Sequence, residues 1–244
     1  MSHREHRIHP PTTPRRLGVE TLEHRAMLAA TPTIGLCECA DTGAKGDGIT
    51  YAVAPRFTGT ATPRAQLTLA LEGGSPLGTA RANAFGEWEF VSRRVRIPDG
   101  VQTIRITEKG PDGAPAGTAT TVVTFDRAKP TVAISSTGIN TFRIAFSQPV
   151  TGFTSELKGL VLSGRPAGAP AFTVPLSSPQ VRGLLGEIDV TPLPDGKSYE
   201  LRIPGDPIPS GIYTIRLNGL RSGIMSSTSG ARMTNNMVYV FSVP

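Results

Sequence analysis

Every imidazole in this 244-residue chain lies at its front: His3, His6, His9 and His24 precede residue 31 and no histidine follows. Nucleophile–His–acid catalysis and histidine-ligated zinc are therefore excluded beyond that point unless the N-terminal stretch folds back into a site. A chain terminus does not hold the sub-ångström geometry such a site demands. Carboxylate chemistry remains. Glu87 and Glu89 flank Trp88, which superficially looks like a glycosidase pair beside an aromatic platform. On a strand, however, successive side chains alternate, so the tryptophan points away from both glutamates. The expectation is a core tryptophan with a solvated acidic edge, and Glu187 with Asp189 repeats the pattern. A hard cation is the other chemistry open to carboxylates. Asp41 and Asp47 bracket the glycine-rich "DTGAKGDG" and Asp126 follows at the end of the same segment, which makes these three the candidate calcium ligands. Against calcium stand the six to eight oxygens it requires and Lys45 in the same turn. Ordinary turn chemistry, with aspartate accepting backbone N–H groups, accounts for the same residues.

Cys37 and Cys39 are two apart in "IGLCECA". An extended chain would place their Cα atoms about 6.5 Å apart with parallel side chains. No internal bridge is expected, and the pair reads as two small, half-buried residues. There is no Gly-x-Gly-x-x-Gly, no phosphate-binding Gly-Lys-Ser/Thr loop and no Asn-x-Ser/Thr acceptor, so no nucleotide cofactor is implied. The formal charge of +6 is spread thinly, with only Arg93, Arg94 and Arg96 clustered, which argues against nucleic acid as a partner. No stretch approaches the roughly 20 apolar residues of a membrane span.

The elements that position these residues are strands. "PTIGL" begins at Pro32 and "PTVAI" at Pro130, an offset of 98 residues that matches the ~100 residues of an immunoglobulin-type sandwich. Period-two stretches recur in both halves: "QLTLAL", "GEWEFV", "QTIRIT" and "TTVVTF" in the first, and "TFRIAF", "EIDV", "YELRI", "YTIRL" and "MVYVFSVP" in the second. Asp99-Gly100, Asp112-Gly113 and Asp195-Gly196 supply tight turns between them. The fold class is all-β: two tandem immunoglobulin-like β-sandwiches, of about seven strands in the first and seven or eight in the second, behind a flexible N-terminal leader. The expected units are a leader over 1–30, a first sandwich over 31–129 and a second over 130–244. "FDRAKP" leaves a short linker, stiffened by Pro130, that restricts the sandwiches to an end-to-end arrangement.

Two resemblances rest on these residues. "RRLGVETLEHRAMLAA" resembles the N-terminal sorting motif of planctomycete extracellular proteins, with Leu22, Glu23, Arg25, Leu28 and Ala29 matching and Met27 in place of a usual leucine. Its bland counterpart is an amphipathic helix docked on the first sandwich through Leu22 and Leu28. Residues 32–130 resemble bacterial Ig-like modules of large surface proteins and biofilm adhesins, on "DTGAKGDGIT", "PRFTGTATPRAQLTLALEGG", "PLGTARANAFGEWEF" and "VQTIRITEKGPDGAPAG". The second half is similar to a related Ig-like type that commonly carries an acidic turn near its end; Ser226, Ser227, Thr228 and Gly230 stand there instead. The resemblance implies a non-catalytic, secreted or surface-exposed protein acting in adhesion, spacing or display. Its partners would be other surface proteins or extracellular polysaccharide. The rival readings are a carbohydrate-binding accessory module, which predicts a row of exposed aromatics, and a carboxylate-only hydrolase, which predicts two acids converging in a cleft.

Overall fold

The computed structural model describes residues 31–154, 156, 159–179, 188–204 and 208–244. The leader with its four histidines, and Glu187, lie outside them.

The first half forms β1 (Gly35–Leu36), β2 (Ile49–Thr50), β3 (Arg56–Thr60), β4 (Gln66–Leu71), β5 (Pro76–Arg81), β6 (Glu87–Val91), β7 (Gly100–Lys109) and β8 (Pro115–Phe125). They make a three-stranded sheet, β1-β3-β6, and a five-stranded sheet, β2-β8-β7-β4-β5. Alternation sets the core between them: Phe57 and Trp88 from one sheet meet Leu67, Leu69, Ile104, Ile106, Val123 and Phe125 from the other. Each such buried side chain contributes about 1.5–3 kcal/mol. Trp88 is buried while Glu87 and Glu89 are exposed, as the two-residue period requires. Among the described residues all ladders are antiparallel except one. β2 runs parallel to β8, with Ile49 opposite Thr124 and Thr50 opposite Phe125.

The second half forms β9 (Val132–Gly138), β10 (Thr141–Phe146), β11 (Val150–Thr151), β12 (Leu160–Pro166), β13 (Phe172–Pro175), β14 (Asp189–Pro192), β15 (Ser198–Arg202), β16 (Gly211–Leu217), a single helical turn α1 (Gly219–Ser222), β17 (Met225–Ser226) and β18 (Met237–Val243). Sheet β14-β15-β10-β9 faces sheet β13-β12-β16-β18, and β11 pairs with β17 in a small ribbon. The order places β9, β10, β15 and β14 as strands A, B, E and D of an immunoglobulin sandwich, and β12, β16 and β18 as C, F and G. Phe142, Ile144, Phe146 and Leu201 pack on Leu160, Leu162, Tyr213, Ile215 and Leu217. Tyr213, third in β16, donates its hydroxyl to the Pro209 carbonyl at 2.6 Å. That is the tyrosine corner of the immunoglobulin fold, near the start of strand F.

The described strands exceed the expected number because four of them, β1, β2, β11 and β17, are two residues long, too short to show a period. The expected Asp-Gly turns are present, with Gly100, Gly113 and Gly196 at φ +98°, +82° and +70°.

Candidate functional site

The predicted acidic turn and the linker come together at one pole of the first sandwich. After β1 the chain turns at once: the Cys37 carbonyl accepts the N–H groups of Ala40 (2.8 Å) and Asp41 (2.9 Å). This corrects the expectation of unbridged cysteines. Cys37 and Cys39 are joined in a disulfide, with Cα atoms 5.2 Å apart. The extended geometry assumed from spacing does not apply, because the turn at Cys37 ends the strand-like parallel alignment of the two side chains on which the expectation rested.

Asp41 is buried at 5% exposure. Its Oδ2 accepts the Gly46 N–H at 2.6 Å, Asp47 Oδ1 accepts Ile49 N–H at 2.8 Å, and Asp126 Oδ1 accepts Ala128 N–H at 3.1 Å. All three aspartates thus do turn work. The Lys45 ammonium donates to the Asp41 and Glu38 carbonyls, so a cation already sits inside the turn. Asp41 Oδ1 has no hydrogen-bond partner among the described residues. One carboxylate oxygen beside an ammonium is far from the six to eight oxygens of a calcium cage, and no group of three or more His, Cys, Asp or Glu among the described residues could hold a metal. The donor set does not fit calcium.

What the turn does hold is the second sandwich. Thr42 Oγ1 accepts the Tyr51 N–H at 2.9 Å and donates to the Ser229 carbonyl at 2.7 Å. Beside it, Gly43 (φ +83°) stands so close to the Thr228 carbonyl that a Cβ there would lie 2.2 Å from the oxygen. The facing turn is rigid in its own right: Ser226 and Ser229 are buried, Ser226 N–H donates to the Ala231 carbonyl (2.9 Å) and Ser227 N–H to the Pro149 carbonyl (3.0 Å). The linker is clamped as well. Arg127, with its side chain 10% exposed, ion-pairs with Asp99, donates to the Ile97 (3.1 Å) and Ala52 (3.0 Å) carbonyls, and stacks 5.0 Å from the Phe125 ring centre. On the far side, Gln148 Nε2 donates to the Ala128 carbonyl at 3.0 Å. A restricted junction was legible in the linker length; Thr42 and Arg127 as its agents were not, since neither residue type carries a junction signature.

The remaining predicted chemistry disperses. Glu89 pairs with Arg56 at 3.0 Å, and the Glu87 carboxylate accepts from Asn83 at 3.0 Å. Asp189 lies on β14, hydrogen-bonded by Thr191 at 3.3 Å. Tyr51 and Phe85 are the exposed aromatics among the described residues, on separate loops, while Tyr213 is buried and Tyr199 and Tyr239 are half-buried. A polar groove of about 550 Å³ runs over β4 and β5, lined by Arg64, Gln66, Thr79, Arg81 and Pro111 with no carboxylate among its lining residues. Arg64 takes a left-handed backbone, φ +65°, and its carbonyl accepts from Arg81 Nε at 3.4 Å.

This first sandwich, with its β1-β3-β6 sheet and parallel closing strand β2, has a counterpart among known families. Residues 28–127 match the bacterial Ig-like domain family. No curated protein matches the chain. Among solved structures, a two-domain fibronectin type III segment of chicken tenascin aligns over 88% of this chain and 100% of that one, at 12% identity and TM-score 0.28. A marsupial T cell receptor aligns over 77% and 66%, at 12% identity and TM-score 0.38. The BSP domain of a biofilm associated protein aligns over 86% of this chain, at 12% identity and TM-score 0.29; the chain spans 29% of that structure's length. No helix among the described residues is long and apolar enough to cross a membrane.

Proposed function

We propose that this chain is a non-catalytic extracellular or cell-surface protein that acts in adhesion, spacing or display. Its working units in this reading are tandem Ig-like modules over 31–129 and 130–244, and residues 1–30 serve as an export and sorting leader. The junction carries the proposal. A bacterial Ig-like sandwich is tied to a second sandwich by the Thr42–Ser229 hydrogen bond, the Gly43–Thr228 approach and a linker that Arg127 fixes to the first sandwich and Gln148 holds from the second. Such a link suits a module whose task is to hold a surface at a set distance and angle rather than to close around a substrate. The test is protease shaving of intact producing cells, comparing the full chain with one that starts at Thr31. Full-length protein cleaved from outside, with the shortened form protected, supports export and surface display. Equal protection of both overturns it.

One observation favours a carbohydrate-binding reading. The groove at Arg64 and Arg81 offers two guanidinium groups with no carboxylate lining beside them, a lining that suits an acidic sugar such as a uronate. Binding of acidic but not neutral oligosaccharides, lost in Arg64→Ala/Arg81→Ala, would establish it; indifference to both sugar classes would remove it.

A further inference from the structure

Sheet edges expose unpaired N–H and C=O groups, and soluble proteins blunt them with charge, proline, brevity or cover. This chain does so at one edge after another. β5 opens on Pro76 and ends on Arg81, β6 carries Glu87 and Glu89, β13 is four residues ending in Pro175, and β14 runs from Asp189 to Pro192. β9 is polar over Ser135–Thr137 and spends its Ser136 N–H on the Tyr239 hydroxyl at 3.2 Å. In the first sandwich the last strand, β8, has its outer edge covered by β2, through Thr124 N–H to the Gly48 carbonyl (2.9 Å) and Asp126 N–H to the Thr50 carbonyl (3.0 Å).

The last strand of the second sandwich has neither charge, proline nor brevity, and its neighbour β9 reaches it through the Tyr239 hydroxyl rather than through a backbone ladder. β18, Met-Val-Tyr-Val-Phe-Ser-Val, is seven residues long without a charge or a proline. It closes its sheet on one side of β16 and pairs with no other strand among the described residues. Val238 and Val240 are exposed at 47% and 59% on its outer face, and Ile212 of neighbouring β16 at 60%.

We propose that β18 is a self-pairing edge: two copies of this chain join through it, antiparallel, about a two-fold axis at Val240. The sequence is self-complementary in that register. Val240 meets Val240, Val238 meets Ser242 and Tyr239 meets Phe241, so apolar residues face apolar or small ones on both faces and no like charges are opposed. Charge also selects the edge. Two chains of net charge +6 repel, and β18 is an approach free of charge. The nearest cation on its outer face, Arg216, lies opposite Val238 on β16, so an added strand would run about 10 Å from it, beyond a Debye length at physiological salt. Seven paired residues span only about 24 Å and bury less than the ~1,200 Å² of a stable complex. The dimer is accordingly weak and reversible, with a dissociation constant of about 10 µM or more. The inference names a partner beyond the adhesion reading and holds whether or not the protein is exported.

Sedimentation velocity on the full chain from micromolar to near-millimolar concentration tests it. The wild type is expected to shift from monomer to dimer with concentration. Val240→Lys should raise the dissociation constant at least tenfold, while Val122→Lys, at a comparably exposed valine of β8, leaves it within about twofold. A second readout does not depend on how the lysine variant folds. In this register the two Val240 Cα atoms lie about 5 Å apart, within disulfide range, so Val240→Cys should cross-link with itself on oxidation. Val238→Cys, about 13 Å from its mate, should not. A wild type that stays monomeric throughout, equal weakening by both lysine variants, or equal cross-linking by both cysteine variants overturns the proposal.

Discussion

Gly43→Ala separates the role of the junction from the stability of the sandwiches. The new Cβ carries two penalties. A left-handed backbone at φ +83° costs an alanine about 1–2 kcal/mol. In addition, the Cβ would lie 2.2 Å from the Thr228 carbonyl oxygen and 3.1 Å from the Ser229 carbonyl carbon, both backbone atoms that no rotamer change can move. The turns must part by an ångström or more, which breaks the Thr42–Ser229 hydrogen bond, a net contribution of about 1 kcal/mol. Losing that much coupling shifts the ratio of joined to parted arrangements roughly fivefold. Gly46→Ala is the matched control: φ is +85° and nothing lies within 4 Å, so it carries the backbone penalty without the contact. Gly46→Ala should lower stability by about 1–2 kcal/mol in chemical denaturation and Gly43→Ala by about 1 kcal/mol more. Only Gly43→Ala should broaden the distance distribution in small-angle scattering and scale down the residual dipolar couplings that fix one sandwich relative to the other. Indistinguishable scattering and couplings for the two variants would refute the claim that this contact sets the junction.

Tyr213→Phe should cost about 1–2 kcal/mol by leaving the Pro209 carbonyl without its donor. Burial raises the Tyr213 pKa above its ordinary value, so the folded phenol keeps its proton when the unfolded one, above pH 10, has lost it; stability therefore falls as pH rises past 10, and the phenylalanine variant should lack that part of the slope in alkaline denaturation. Hydrogen bonds from Ser198, the Lys197 N–H and Arg143 lower the Asp195 pKa to about 2. Its contribution is present above the unfolded pKa near 4 and is lost as pH falls through 2, so a carboxyl NMR titration midpoint near 4 would contradict the turn geometry. Cys37→Ser/Cys39→Ser opens a ring of sequence separation two and should cost no more than about 1.5 kcal/mol, the loop-entropy value for so short a closure, measured by urea titration.

Much of this was legible because strands announce themselves by period. Trp88 in with Glu87 and Glu89 out, the triplet Phe142, Ile144 and Phe146, and the Asp-Gly turns all follow from alternation and turn chemistry. The failures sit where the chain departs from a regular period. Spacing alone could not reveal that Cys37–Ala40 turns, because the signal was a backbone hydrogen bond to the Cys37 carbonyl rather than a turn-forming residue. β2 is two residues long and parallel, so neither its pattern nor its partner can be read locally. In the loop that holds Asp41 and Asp47 the residue that reaches across the junction is Thr42, whose hydroxyl is unremarkable until Ser229 stands opposite.

The parallel pairing of β2 with β8 has a consequence for a chain pulled from its two ends. Tension drawn out through β1 hauls β2 one way along its axis while β8 is hauled the other, and because the two strands run in the same direction their hydrogen bonds are loaded in shear and must fail together. Among the described residues the second sandwich has no such latch: its first and last strands, β9 and β18, lie in different sheets and are linked by the Ser136–Tyr239 hydrogen bond. Under load the second sandwich is therefore expected to yield first, giving up its length as slack while the first sandwich and its closing strand stay intact.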